Sequence, residues 1–411
     1  MNPKVKTKTD QQEVLMKKLL ATAAVASLAM TGAAHAAGHA VKIGVLLGYT
    51  GPIESMTPAM ASGAELAMAE ITASKALLDG KALVPVRADS TCIDAAAATA
   101  AAERLITSEG VAGIVGADCS GVTTAVLQNV AVANGTVMIS PSATSPALST
   151  IEDNGLFFRT APSDARQGVI VTKILQSRGF NEIAISYTNN DYGKGLADSI
   201  ETNFKAAGGT VTINAPHEDG KADYSAEVGA LASAGGDILV VAGYLDQGGQ
   251  GIIRGSLDSG AFDTFYLPDG MTGDPLGEAI GPDLDGSFGA LPGTDSPGAA
   301  TFGDMAAKAG FEASAFTGES YDAAALMALA MQASGSTKST DFAPYIMDLA
   351  NAPGEKIYPG ELAKALKLVG EGVDIDYVGA TAVELVGAGE SAGAYREIEF
   401  EGGKMKTVGY H

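Results

Sequence analysis

The chain has no tryptophan, and only two cysteines and four histidines among its 411 residues. The histidines and cysteines fall at unrelated spacings, which argues against a zinc-type ligand cluster, so no metal is expected. A nucleophile at Cys119-Ser120 would need a base within hydrogen-bond reach, and none is evident. The phosphate-cradling GxxxxGK(S/T) loop and the GxSxG elbow are absent too. No catalytic residue and no cofactor are therefore expected. Basic residues are scarce: 26 Lys and Arg stand against 48 Asp and Glu, for a net charge of −22. Such acidity argues against nucleic acid or anionic membrane as a partner. Beyond residue 36 no run is apolar enough to span a bilayer.

What is present starts at Met16. Lys17-Lys18, the apolar run Leu19 to Met30 and Ala34-His35-Ala36 have the layout of a secretory signal peptide. Met1 to Leu15 are polar and read as an over-extended start. The mature chain is expected to begin near Ala37 as a soluble periplasmic monomer. No cysteine near the cleavage site offers a lipid anchor. From Val41 strand and helix patterns alternate. Two β-α-β-α-β blocks, divided near Phe157-Phe158-Arg159-Thr160, predict two similar α/β lobes. Tyr49 to Pro58 reads as a loop ahead of a helix from Ser62, and His217 as a surface loop residue. Strands are expected near Tyr377 to Val383, Tyr395 to Phe400 and Lys404 to Val408.

The most informative stretch is Gly113 to Pro146. A short apolar strand leads through Asp118-Cys119-Ser120-Gly121 into a helix with Val122, Val126 and Val130 on one face. A second strand ends in Ser140-Pro141-Ser142-Ala143-Thr144. In an open parallel sheet, ligands bind beyond the carboxyl ends of the strands. Ser120 falls at a helix N-terminus, which favours an anion, with Ser142 and Thr144 on the next turn. Two such turns can grip a carboxylate from both sides; the alternative is that these hydroxyls only cap helices and close turns. Cys92 and Cys119 both follow strands of one sheet. In an oxidising compartment they are expected to form a disulfide, the alternative being two buried thiols.

Several motifs recur along the chain in a fixed order: Lys42-Ile43-Gly44-Val45, Thr50-Gly51-Pro52, Gly63-Ala64-Glu65, Cys119-Ser120, Pro141-Ser142-Ala143-Thr144, Asp191-Tyr192-Gly193, Gly243-Tyr244 and Pro268-Asp269-Gly270. In these motifs the chain resembles the leucine/isoleucine/valine-binding proteins, the type I solute receptors of ATP-binding-cassette importers. The cysteine pair matches as well. The resemblance implies a two-lobed Venus-flytrap, each lobe a parallel sheet flanked by helices, joined by three crossovers. Residues 37–159 and 289–378 would form one lobe, and 160–288 and 379–411 the other.

The resemblance also implies a site. Ser120 and Thr144 would grip an α-carboxylate, the Ser142 carbonyl and Asp269 would meet an α-ammonium, and Ala143 would lie between them. Tyr192 and Tyr244 would close over the ligand from the second lobe. The family usually has Glu at Asp269 and often an aromatic ring at Met56, so the side-chain preference is open. The implied partners are an amino acid, branched-chain first, and the permease subunits of an importer. A sensor module of the same fold is the alternative, and an amidase-like hydrolase using Ser120 a remote one.

Overall fold

The structure, a computed structural model, describes residues 40–411. The expected leader, residues 1–36, lies outside the described residues. The first block supplies β1 (Ala40–Leu47), β2 (Ala82–Asp89), β3 (Ile114–Gly116), β4 (Met138–Ser140) and β5 (Phe157–Pro162). The second supplies β6 (Glu182–Thr188), β7 (Thr210–His217), β8 (Ile238–Ala242), β9 (Phe265–Leu267) and β10 (Phe288–Pro292). The remainder adds β11 (Glu355–Ile357), β12 (Ile375–Tyr377), β13 (Leu385–Val386), β14 (Glu390–Ser391), β15 (Tyr395–Glu401) and β16 (Lys404–Tyr410).

Two seven-stranded sheets result, ordered β13-β14-β5-β4-β3-β1-β2 and β16-β15-β10-β9-β8-β6-β7. Both are parallel except at one edge, where β13 with β14, and β15 with β10 and β16, run antiparallel. Helices cover both faces, so the inner strands are continuous apolar runs; every residue of Ile238-Leu239-Val240-Val241-Ala242 is buried. This is the two-lobed type I architecture. The chain passes between sheets after β5, after β10 and between β14 and β15.

Four details depart from the sequence reading. All of β10 belongs to the second sheet, so the return to the first lobe follows Pro292, not residue 289. β13 and β14 belong to the first sheet, so the last crossing lies between Ser391 and Tyr395, not at 379. These strands have two residues each, too short to show an alternating period. The expected strand at Tyr377 is instead the end of β12, which pairs only with β11. Finally, the helix expected from Ser62 starts at Thr57, because Pro58 sits in its first turn where no amide hydrogen is needed.

The longest helices set the packing of the first lobe. Thr317–Ser334 is buried over most of its length and runs against Thr57–Ser74. A Cβ at Gly63 would stand 2.2 Å from Thr317 O, so the two backbones meet there.

Candidate functional site

Each candidate residue follows the carboxyl end of a strand. Met56 caps the helix after β1, Ser120 opens the helix Ser120–Val126 after β3, and Ser142 follows β4. From the second lobe, Tyr192 lies in the first turn of Asp191–Ala206, Tyr244 follows β8 and Asp269 follows β9. All six border one cavity between the lobes, with Ile53, Met60, Asp118, Cys119, Gly270 and Phe316. The space open to a water-sized sphere is only about 20 Å³, so the lobes are drawn tightly together. Ala143 and Thr144 are buried close by but do not border it.

The second-lobe half is rigid. The Tyr192 and Tyr244 rings stack at 5.1 Å with 18° between planes. The Tyr192 hydroxyl donates to Asp269 Oδ1 at 2.7 Å, and the Gly270 amide donates to the same oxygen at 2.8 Å. Burial raises the Asp269 carboxyl above its ordinary range, and these two donors hold it back. Burial also lifts both tyrosine hydroxyls well above theirs, so both stay neutral donors.

The first-lobe half is built on Asp118. Its Oδ2 accepts from the Gly48 amide at 2.5 Å and its Oδ1 from the Ser90 hydroxyl at 2.7 Å, which ties the ends of β1, β2 and β3 together. The Ser142 hydroxyl donates to Asp118 O at 3.1 Å, and the Ser145 amide donates to Ser120 Oγ at 3.1 Å. Cys92 and Cys119 are joined by a disulfide with Cα atoms 5.1 Å apart. The bridge crosses from the end of β2 to the turn that carries Ser120.

Ile53, Met56, Met60 and Phe316 form an apolar wall. The lining has two carboxylates and no Lys, Arg or His. Both oxygens of Asp118 are taken up within its own lobe, whereas Asp269 is held through Oδ1 alone and borders the cavity from the second lobe. The chemistry of this lining suits a small ligand with an apolar body, a cationic group at Asp269 and an anionic group at the hydroxyl turns, for which the shut cavity would have to widen. The lining carboxylate next to Ser120 in sequence, Asp118, turns its oxygens to Gly48 and Ser90, and Ser120 Oγ accepts from the Ser145 amide.

A model of the family described as periplasmic binding protein matches residues 40–354. The chain belongs to this family. Over 330 residues it is 29% identical to a Leu/Ile/Val-binding protein of Rhizobium johnstonii, covering 79% of this chain and 87% of the relative. Among solved structures it is similar to a branched-chain amino acid transporter substrate binding protein of Streptococcus pneumoniae in complex with isoleucine. That match has a TM-score of 0.74 and 23% identity, over 90% of this chain and 99% of the other. It is also similar to a solute binding protein of R. palustris in complex with benzoate, at TM-score 0.72 and 20% identity, over 90% and 96% of the two chains. The resemblance read from the motifs is thereby established, and with it a solute-binding role. Among the described residues no helix is long and apolar enough to cross a membrane.

Sequence reasoning missed Ile53, Met60, Asp118 and Phe316. Met60 was findable, since it lies one helical turn beyond Met56. Asp118 stands in the turn already singled out, two residues before Ser120. Phe316 has no local signal: it comes from a distant part of the chain, just ahead of the helix Thr317–Ser334, with a left-handed backbone, φ 62°. His217 is no surface residue but ends β7, 1% exposed, with Nδ1 2.8 Å from Ser186 Oγ. Burial lowers its pKa to about 4, so it is neutral and structural.

Proposed function

We propose that this protein captures a branched-chain amino acid between its lobes in the periplasm and delivers it to the permease subunits of an ATP-binding-cassette importer. In this reading a signal peptide over residues 16–36 exports it, and it works as a monomer. One observation carries the reading: Asp269, buried and held by Tyr192, faces a cavity whose opposite side is made of the Ser120 and Ser142 turns. A zwitterion needs both charges paired when it leaves water. Asp269 and the Ser142 carbonyl would meet the ammonium. Ser120 and Thr144 would hold the carboxylate, with Ala143 between the two hydroxyl turns. Tyr192 and Tyr244 would cover the ligand, and Met56 would pack on its side chain. The names of its relatives support an amino acid.

A second reading has one observation in its favour. The Tyr192, Tyr244 and Phe316 rings line the cavity, and one structural neighbour holds benzoate. Calorimetric titration of ligand-stripped protein with leucine, isoleucine, valine and benzoate separates the two. Saturable binding of an aliphatic amino acid, with benzoate at least a hundredfold weaker, is expected. Tighter binding of benzoate than of any of the three would overturn the amino-acid reading.

A further inference from the structure

Asp164 sits where the chain first passes between the lobes, between β5 and the helix Asp164–Ser177. It is fully buried, and its carboxylate faces the Thr144 hydroxyl, although neither oxygen makes a well-formed hydrogen bond. The buried Thr144 Oγ1 has none either, although the Asp164 amide donates to Thr144 O at 2.8 Å. The charged and titratable groups around Asp164 come from both lobes. They are Asp269 after β9, Arg159 on β5, Tyr192 on the helix Asp191–Ala206 and Tyr395 on β15. Arg159 is already committed to Glu390 and to the carbonyls of Ala143 and Ser145. Burial first, and then the charge of Asp269, push the Asp164 carboxyl well above its ordinary range.

Hydrogen counting gives this arrangement a direction. An ionised Asp164 only accepts, and would take the single hydrogen of Thr144. A neutral Asp164 gives its own hydrogen to Thr144 Oγ1 and leaves the Thr144 hydrogen free for a ligand carboxylate. We propose that Asp164 is a positioning residue for ligand capture: as the lobes close it takes up one proton from solvent, donates to Thr144 Oγ1, and leaves Asp269 as the charged partner of the ligand's ammonium. The roles of Thr144 and Asp269 here rest on the amino-acid reading; the proton uptake does not.

The helix Asp164–Ser177 packs against Asp191–Ala206, so Asp164 moves with the second lobe and keeps Asp269 and Tyr192 as neighbours. When the lobes part, Thr144 and Arg159 stay with the first lobe, water reaches the Asp164 carboxyl, and the burial that is the main cause of its shift is relieved. Protonation therefore favours the closed, liganded form. Affinity is greatest in mildly acid solution and falls as pH rises, by about tenfold per pH unit where a whole proton is taken up. The fall ends above the raised value of the closed form. At the acid end, protonation of Asp269 reverses the trend.

The test is calorimetric titration of the full mature chain with leucine near pH 7, in phosphate and in Tris, whose ionisation heats differ. The wild type should take up close to one proton per leucine, and its affinity should fall between pH 6 and 8. Asp164→Asn mimics the neutral acid. It should bind leucine within about threefold of wild type at pH 7, take up no proton and show a flat profile. Glu319, a second buried acid near Asp269, has its pKa raised by burial to about 8. Glu319→Gln should keep the uptake. Absence of uptake in the wild type, its persistence in Asp164→Asn, or its loss in Glu319→Gln would each overturn the proposal. If Asp164→Asn fails to fold, the wild type and Glu319→Gln decide together: uptake kept in Glu319→Gln upholds the proposal, and its absence in either overturns it. If leucine does not bind and benzoate does, the amino-acid reading fails, and the same count with benzoate still upholds or overturns the role of Asp164.

Discussion

At the scale of single residues, charge is placed where partners already exist. Arg159 is 1% exposed and donates to the Ala143 carbonyl at 3.0 Å, the Ser145 carbonyl at 2.9 Å and Ser149 Oγ at 2.8 Å, and it also pairs with Glu390. It thereby fixes the turn that carries Ala143 and Thr144. Arg159→Ala strips two buried carbonyls and a half-buried carboxylate of their donor, so it should cost about 3–5 kcal/mol. A shift in the urea unfolding midpoint reads this, and an unchanged midpoint would show that the turn holds without Arg159. The sequence contained Phe157-Phe158-Arg159-Thr160 only as a lobe boundary. The partners of Arg159 come from positions 143–149 and 390, and no local pattern shows such contacts. Ser120, Tyr192, Tyr244 and Asp269 were legible because each follows a strand, and strand ends converge in a parallel sheet.

At the scale of elements, the fold depends on close backbone contact between helices. The Gly63–Thr317 approach leaves no room for a methyl group, since a Cβ would meet a carbonyl oxygen at 2.2 Å. Gly63→Ala should force Thr57–Ser74 away from Thr317–Ser334, at about 1–3 kcal/mol. Thermal unfolding should show a lowered Tm; a Tm equal to wild type would mean that the helices slide apart freely. Most strands and helices were legible from period and length. The exceptions share a cause. β13 and β14 are two residues long and take their identity from pairing with β5, not from composition. The buried end of β7 reads as a loop, because Pro216 and the following Glu-Asp-Gly are turn formers.

At the scale of the whole molecule, function lies in the relation between lobes. Across the mouth of the cleft the Ser55 amide donates to Asp246 Oδ2 at 2.9 Å, and the Asp246 amide donates to Pro52 O at 3.1 Å. These contacts join the loop after β1 to the loop after β8 and exist only when the cleft is shut. The sequence showed two lobes and their order. It misplaced one crossing by a few residues and the last by more than ten, because the chain passes between sheets without a compositional break. The central claim is that the lobes hold opposite halves of one zwitterion, with Asp269 on the ammonium. Its most direct test is a two-by-two titration: wild type and Asp269→Ala, each with leucine and with 4-methylpentanoate, which is leucine without its amino group. The account predicts that Asp269→Ala weakens leucine by about 2–5 kcal/mol, roughly 30- to several-thousand-fold, and leaves 4-methylpentanoate within about threefold. Leucine bound by Asp269→Ala within twofold of wild type, or both ligands weakened equally, would contradict it.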